Sequence, residues 1–181
     1  MAELTLLLLS GSLRKEATNR KLVREAARLF GDAKVVEGDL MLPLYDGDLE
    51  AETGIPIAVQ SLADQIAGAD AVVISTPEYN KGPSGVLKNA LDWVSRTEGN
   101  PWRDKPVAVM SAAAGRAGGE RAQMILRSFL VPFRPRVLPG PEVHLAGSAK
   151  EFDAAGHLIS EHYTKTLSEL MQHLRTATDR T

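Results

Sequence analysis

The chain alternates between short, almost entirely apolar runs and longer segments whose apolar residues recur every three or four positions. Two of the runs read LTLLLLS, residues 4–10, and AVVIS, residues 71–75. Unbroken apolar runs of this length are typical of central parallel strands, which are covered on both faces. The predicted strands are residues 4–10, 34–37, 71–75 and 107–110, and a fifth, 137–138 with 143–145, that Pro139 and Pro141 interrupt.

The segments between the strands predict five helices, each with a single apolar face. In the first helix, Asn19 is expected to be the N-cap and Gly31 the end, and in the third, Pro83 and Ser84 mark the start. Residues 40–56 show neither a continuous apolar run nor the three-to-four-residue spacing of a helix. They are rich in turn formers and acids and are expected to form an irregular surface segment. The residues that define the helical faces are Leu22, Val23, Ala26, Ala27 and Phe30; Ala58, Leu62 and Ile66; Val86, Leu87, Ala90, Leu91 and Val94; Met124, Ile125 and Leu130; and Leu167, Leu170, Met171 and Leu174.

Strands separated by single helices predict a series of βαβ units, whose crossovers are nearly always right-handed. The expected fold is a flavodoxin-like three-layer α/β/α sandwich with a five-stranded parallel sheet in the order 2-1-3-4-5. Residues 1–181 are expected to form one such domain. In this order the ligand crevice lies beyond the carboxyl ends of strands 1 and 3. The loops after these two strands are therefore expected to be neighbours, with the loop after strand 4 beside them.

Composition narrows the possible classes of function. The formal charge of −2 argues against a nucleic-acid-binding protein, which would carry a strongly basic surface. There is no cysteine, which excludes disulfides, thiolate metal ligands and a cysteine nucleophile. The first apolar run follows Glu3 instead of a basic segment and is too short for a signal peptide or a membrane span. We expect a soluble, cytoplasmic protein without a membrane partner.

The loop after strand 1, SGSLRKEATN or residues 10–19 (the first loop), carries many hydrogen-bond donors where a helix begins. A helix N-terminus attracts anions, and hydroxyl, amide and guanidinium groups all donate to phosphate oxygens. An ordinary capping turn is the alternative. Neither G-x-x-x-x-G-K-[ST] nor G-x-G-x-x-G is present, so we expect a terminal monophosphate, such as that of FMN, in place of a pyrophosphate. The candidate phosphate donors are Ser10, Ser12, Arg14, Thr18 and Asn19.

Two further loops offer surfaces for a flat ring. TPEYNKGPSG, residues 76–85 (the second loop), carries Pro77, Glu78, Tyr79 and Asn80, of which the aromatic residue is suited to lie against an isoalloxazine. A half-buried loop tyrosine and a turn-forming asparagine explain the same residues. SAAAGRAGG, residues 111–119 (the third loop), combines small residues and glycines that let a backbone approach a ring edge, but glycine turns are common.

Three segments of the chain resemble the NADPH-dependent FMN reductase family, whose flavodoxin-like members include bacterial chromate, quinone and ferric reductases. They are SGSLRKEATNRKL, PEYNKGPSGVLKNALDWVSR and KPVAVMSAAAGRAGGERAQMILRSFLV, and the resemblance runs in order along nearly the whole chain. Family members often carry Ser-Pro-Gly where this chain has Ala113, Ala114 and Gly115, and Arg116 is bulkier than expected. The resemblance implies FMN contacts at Ser10, Ser12, Arg14, Thr18 and Asn19 for the phosphate, at Pro77, Glu78, Tyr79 and Asn80 for the ring and ribityl chain, and at Ala113, Ala114, Gly115 and Arg116 for the ring edge.

The resemblance implies an enzyme that passes hydride from NAD(P)H to FMN and electrons onward to quinones, chromate or ferric complexes. Because the cofactor carries this chemistry, no acid–base residue is required, and neither a catalytic dyad nor a metal site is expected. A homodimer or homotetramer with residues 87–94 at an interface is also implied. Three alternatives stay open: a reductase that releases reduced FMN to a partner, a flavodoxin-type electron carrier, and a non-catalytic nucleotide-binding module. Flavodoxin-type electron carriers tend to be strongly acidic, whereas this chain has a formal net charge of only −2.

The two tryptophans of the chain lie outside the three loops. Trp93 is expected to be a packing residue, and Trp102 either covers the sheet edge or lines the acceptor site.

Overall fold

The computed structural model describes residues 3–179 and contains one parallel sheet in the order β2-β1-β3-β4-β5, with β6 also paired to β4. The predicted fold and strand order are confirmed. The elements are β1 (Thr5–Ser10), α1 (Thr18–Phe30), β2 (Lys34–Gly38), α2 (Gly47–Thr53), α3 (Ile57–Gly68), β3 (Ala71–Thr76), α4 (Gly85–Val94), β4 (Pro106–Ala112), α5 (Glu120–Leu130), β5 (Arg136–Val137), β6 (Val143–Leu145) and α6 (Glu161–Thr178), with short 3-10 turns at Val131–Phe133 and Ser148–Lys150.

The apolar run of β1 is continuous because both faces of the sheet are covered. Leu6 and Leu8 pack into a core formed with α1 and α6. Leu7 and Leu9 pack into a second core formed with α3, α4 and α5. Since successive side chains of a strand point to opposite faces, a strand between two helical layers needs apolar residues at every position.

The structure has two separate strands where the sequence predicts a single interrupted fifth strand. β5 and β6 are separate short strands, and both pair with β4: Pro106 lies opposite Arg136, and Met110 lies opposite Val143. The two strands extend along successive parts of the longer β4, so the prolines between them divide the predicted strand without removing it from the sheet.

The prediction that residues 40–56 are irregular is wrong in part, because α2 lies within them. Asp46 caps this helix by accepting a hydrogen bond from the amide of Asp48. α2 has no buried residue. An exposed helix of this kind has no apolar period for a sequence pattern to detect.

The helix α4 packs its apolar face against the sheet of its own chain. Leu87 and Leu91 are buried there, and Ser84 caps the helix by accepting a hydrogen bond from the amide of Leu87, as predicted. Trp93 is buried against Pro43 and Tyr45. Trp102 is also buried, in the core formed with α3, α4 and α5. Across residues 3–179, no helix combines the length and the apolar character needed to cross a bilayer.

Candidate functional site

The first and second loops meet at Gly11, beyond the carboxyl ends of β1 and β3. Ser10 lies opposite Ser75 in the sheet, and the amide of Gly11 donates a 2.8 Å hydrogen bond to the carbonyl of Ser75. A Cβ atom at Gly11 would lie 2.9 Å from Ser84 Oγ and 3.1 Å from Pro77 Cδ. A side chain at this position would push the two loops apart, which explains the single glycine of the first loop.

The first loop presents donors at the start of α1. Ser10 Oγ accepts a 3.3 Å hydrogen bond from the amide of Ser12, and the hydroxyl of Ser12 is nearly buried. The N-cap of α1 is Ala17, and no side chain caps the helix in this structure. The first amides of α1 therefore lack a side-chain acceptor, which is the arrangement that binds anions at helix N-termini.

The side chain of Asn19 lies beneath the crevice, and the prediction that it is the N-cap is wrong. Its Nδ2 donates to the carbonyl of Ala112 at 2.9 Å. Its Oδ1 accepts from Ser75 Oγ at 2.7 Å and from the amide of Ala112 at 3.1 Å. Asn19 is 3% exposed, so these bonds connect α1 to β3 and β4 inside the protein. In the structure Asn19 thus positions the loops, and its amide is engaged within the protein.

Thr18 connects the first loop to a segment that the sequence did not indicate. Thr18 Oγ1 and Ser148 Oγ are 2.9 Å apart and share a hydrogen bond, although 130 residues separate them. Ser148 is buried in the segment after β6, and its amide donates to the carbonyl of Ala113 in the third loop. No pattern in the sequence relates positions this far apart, so sequence analysis missed Ser148.

The second loop contains a tight turn that projects Tyr79. The amide of Tyr79 donates to the carbonyl of Gly82 at 2.9 Å, and the reverse bond is 3.1 Å. Asn80 and Lys81 between them have φ values of 50° and 66°. Two left-handed residues in succession form the turn type usually made with glycine, and such conformations carry a strain that tends to occur at functional sites. Tyr79 is 54% exposed, whereas Pro77 is buried.

Glu78 connects the second loop to α5, the helix that follows the third loop. Glu78 Oε2 accepts a 3.2 Å hydrogen bond from the amide of Ala122, in the first turn of α5. A carboxylate is favoured at this end of a helix by the free amides and by the helix dipole. Its carboxylate therefore stabilises the arrangement of the two loops.

The base of the third loop is fixed, and its middle is exposed. Ser111 Oγ donates to the carbonyl of Gly118 at 2.6 Å, and Gln123 Nε2 donates to Ser111 Oγ at 2.9 Å. Gly118 has a φ of 60°, and a Cβ atom there would lie 2.3 Å from the carbonyl oxygen of His144. Above this base the residues are open to solvent or half-buried: Ala113, Ala114, Gly115, Arg116 and Ala117.

The charges around the crevice favour an anion. Across residues 3–179, no hydrogen bond or ion pair engages the side chains of Arg14, Lys81 or Arg116. Of the nearby carboxylates, Glu16 pairs with Lys21 at 3.4 Å and Glu78 accepts a hydrogen bond from α5. Free guanidinium groups, hydroxyls and helix amides are the donors that bind a phosphate dianion, so the residues present fit the phosphate of FMN. Within the described part of the chain, no three His, Cys, Asp or Glu side chains are grouped as metal ligands would be.

Comparisons with known proteins agree with this geometry. The sequence profile described as NADPH-dependent FMN reductase matches residues 4–150. An NAD(P)H-dependent FMN reductase of Pseudomonas aeruginosa is 40% identical over 169 residues, which are 92% of this chain and 91% of the relative. A quinone reductase of Escherichia coli is 40% identical over 143 residues, 77% of this chain and 76% of the relative.

A solved structure supports the same assignment. FerB, a flavoenzyme NAD(P)H:(acceptor) oxidoreductase from Paracoccus denitrificans, superposes with a TM-score of 0.87 at 32% identity and covers 97% of both chains. The matching profile spans β1 to the segment after β6, which includes all three loops. The chain therefore belongs to the NADPH-dependent FMN reductase family and is an FMN- and NAD(P)H-dependent oxidoreductase.

Proposed function

We propose that this enzyme holds FMN at the carboxyl edge of its sheet, with the phosphate in the first loop, and reduces quinones with electrons from NAD(P)H. The junction at Gly11 carries the proposal. There the first and second loops are in contact, without room for a Cβ atom, beside the hydroxyls of Ser10 and Ser12 and the guanidinium group of Arg14, which has no partner among residues 3–179. Ligands of doubly wound sheets bind at this switch point.

In this proposal the phosphate is bound by Ser10, Ser12, Arg14, Thr18 and the first amides of α1. Arg14 is exposed and free to form a bidentate pair with two phosphate oxygens. Asn19, also a candidate from the sequence, contributes by holding α1 against β3 and β4.

The second and third loops contact the ring system in this proposal. FMN, when bound, accepts a hydride and passes electrons to an acceptor, and the protein supplies binding, orientation and electrostatics. The exposed phenol ring of Tyr79 and the side chain of Asn80 flank the isoalloxazine ring of FMN. Buried Pro77 stiffens the backbone that carries these two residues. The backbone amides of Ala114, Gly115 and Arg116 supply hydrogen-bond donors at an edge where negative charge develops on reduction.

Quinones are the acceptors that the relatives support, since curated proteins 40% identical to this chain are named quinone reductases. Chromate and ferric complexes are further acceptors in this proposal. None of them requires a protein acid or base for the electron transfer itself. The contribution of the protein is then the placement of the two substrates, one after the other, against the same bound group.

One alternative has an observation in its favour. The relative that covers 92% of this chain is named as an NAD(P)H-dependent FMN reductase, which is compatible with FMN as a substrate that leaves in its reduced form. The two functions differ in how firmly the protein retains FMN.

Gel filtration followed by steady-state kinetics tests the proposal. We expect one FMN to elute with each chain and the oxidation of NADH or NADPH to accelerate when a quinone is added. A colourless protein that oxidises NAD(P)H only in the presence of added FMN would favour the alternative. A protein that oxidises neither nucleotide under either condition would contradict both.

The proposed enzyme is a cytoplasmic homodimer, or a homotetramer made of two such dimers, whose interface includes the outer side of α4. Met41, Leu44 and Tyr45 are 68%, 82% and 40% exposed and form an apolar segment beside this helix. The ring of Tyr45 packs edge-on against Trp93, with centroids 5.0 Å apart. Contiguous exposed apolar surface of this kind marks interaction sites.

Light scattering during gel filtration tests this interface. We expect a dimer or tetramer for the native protein, dissociation for Leu44→Ser, and no change for the control Ile57→Ser, which replaces an equally exposed residue on α3. A monomeric native protein would contradict the proposed interface.

A further inference from the structure

Two adjoining cavities lie at the amino-terminal edge of the sheet, opposite the three loops. The first has a volume of about 180 Å³ and is lined mainly by apolar residues, among them Trp102 and Phe133, together with Ser95, Thr97 and Asn100. The second, of about 230 Å³, is lined by Arg103 and Arg134. Both are also lined by Asn100, Pro132 and Phe133, so an apolar chamber and a basic chamber share one wall.

Trp102, which lines the apolar chamber, carries a donor without a partner. The side chain is 2% exposed, and its indole Nε1 has no hydrogen-bond partner among the described residues. By contrast, Trp93 Nε1 donates to the carbonyl of Pro43 at 2.8 Å. Buried tryptophan N–H groups usually have a partner, so this exception requires an explanation. The second aromatic wall is Phe133. Its ring centroid lies 6.4 Å from that of Trp102, and the two ring planes are inclined by 61°.

The basic chamber carries two positive charges that the protein does not neutralise. Across residues 3–179, no hydrogen bond or ion pair engages the guanidinium groups of Arg103 and Arg134. Asp104 lies between them in the turn, but it lines neither chamber. An unpaired guanidinium fork is suited to a carboxylate, which it binds through two parallel hydrogen bonds.

The backbone around the chambers is held in disfavoured conformations. Asn100, Asp104 and Arg134 have φ values of 49°, 58° and 56°, in the left-handed region. The amide of Asp104 donates to the carbonyl of Arg134 at 3.1 Å, which joins two of the strained residues. Strained conformations persist only where the surrounding structure enforces them, and they are concentrated at binding sites.

From these four observations we propose that the paired chambers bind a small aromatic carboxylate. The ring lies in the apolar chamber against the edge-on pair of Trp102 and Phe133, and the carboxylate pairs with Arg103 and Arg134 and accepts the hydrogen bond of Trp102 Nε1. A cavity of about 150 Å³ is large enough for benzene, so the apolar chamber has the size of one ring. This site is separate from the FMN crevice and does not depend on the proposed function.

Nuclear magnetic resonance of the ¹⁵N-labelled, FMN-loaded protein tests the proposal, with sodium benzoate as the probe. The chain has two tryptophans, so two indole N–H signals are expected, and a Trp93→Phe variant assigns them. We expect the Trp102 signal to shift until it saturates, with a Kd on the order of 1 mM, as is ordinary for a ligand with few atoms. Benzamide and benzamidine, which have the same shape without the negative charge, serve as matched controls and should bind much more weakly.

Substitutions at the basic chamber give a second readout. Arg103→Gln and Arg134→Gln should each weaken benzoate binding by about tenfold, the scale of one charge-assisted hydrogen bond. Lys165→Gln, which removes an exposed charge on α6, should leave the affinity unchanged. A Trp102 signal that stays in place through a large excess of benzoate would overturn the proposal. An equal response to benzamidine, or an affinity unaffected by both arginine substitutions, would do so as well.

Discussion

Asn19 Oδ1 accepts a 2.7 Å hydrogen bond from Ser75 Oγ, although 56 residues separate the two in sequence. The same side chain is bonded to the amide and the carbonyl of Ala112. The first loop leads into the helix that carries Asn19, and the second and third loops leave the strands that it contacts. One buried amide therefore sets the relative positions of all three loops.

Replacing Asn19 with alanine should destabilise the fold, because several buried hydrogen bonds are lost together. The substitution removes the hydrogen bonds that Asn19 makes to the buried Ser75 hydroxyl and to the amide and carbonyl of Ala112, and we expect the free energy of unfolding to fall by about 2–4 kcal/mol. Urea denaturation of the flavin-free protein measures this change. Ser75→Ala should cost less alone and almost nothing in the Asn19→Ala background, whereas additive losses would show that the two residues act independently.

Gly11→Ala should disrupt the junction between the first and second loops. The new methyl group would meet Ser84 Oγ and Pro77 Cδ at 2.9 and 3.1 Å, so we expect a loss of about 1–3 kcal/mol in the free energy of unfolding and weaker FMN binding. Gly68→Ala, at the end of α3, is the matched control, because nothing lies within 4 Å of its Cβ position. Denaturation and flavin titration of both variants distinguish the positions. Equal effects would show that the contact at Gly11 has no special importance.

The stability of the protein should depend on pH through Glu25. Burial of its carboxylate opposes ionisation, but the hydrogen bonds from Arg28 and His157 outweigh this effect and lower the pKa of Glu25 below its ordinary value. The ionised group therefore stabilises the fold above the pH at which an unfolded glutamate ionises, about 4.3. This stabilisation is lost as the pH falls through the lower pKa of the folded state.

A Glu25→Gln variant tests this dependence. It should be clearly less stable than the native protein at neutral pH, and the difference should narrow as the solution is acidified. Glu98→Gln, at an exposed position, is the control and should follow the native protein throughout. Denaturation midpoints across this pH range provide the measurement, and a difference that grows on acidification would contradict the sign of the pKa shift.

Arg14→Ala should weaken FMN binding by roughly tenfold to a hundredfold, the range for hydrogen bonds to a charged group. Lys15→Ala removes the adjacent charge and should have a much smaller effect, since a lysine lacks the planar fork that pairs with two phosphate oxygens. Fluorescence titration of the flavin-free variants measures both affinities. If the two substitutions weakened binding equally, the contribution of this region would be general electrostatic attraction.

The sequence predicted the elements that the core determines. β1 and β3 are buried on both faces, so their apolar runs were unambiguous, and Ser84 was recognised because a serine before an apolar helix is a common cap. α2 was missed because it buries nothing, although Asp46 before it was a possible capping signal. The wrong role for Asn19 arose because helix-start preferences are local, whereas its partners lie 56 and 93 residues away.

That the first and second loops adjoin could be predicted, because it follows from topology alone. Once the strands were ordered, the loops after β1, β3 and β4 had to border one edge of the sheet. The contacts within the site could not be predicted in this way. The pairing of Thr18 with Ser148 and the capping of α5 by Glu78 depend on side-chain packing between distant segments, for which a single sequence carries no signal.

The affinity of the flavin-free protein for FMN, compared with its affinity for riboflavin, tests the central claim most directly. The two ligands share the ring system and differ in the phosphate that the first loop is proposed to bind. We expect FMN to bind more tightly by about a hundredfold or more, since several charge-assisted hydrogen bonds are involved. Equal affinities for FMN and riboflavin, or no binding of FMN, would contradict it.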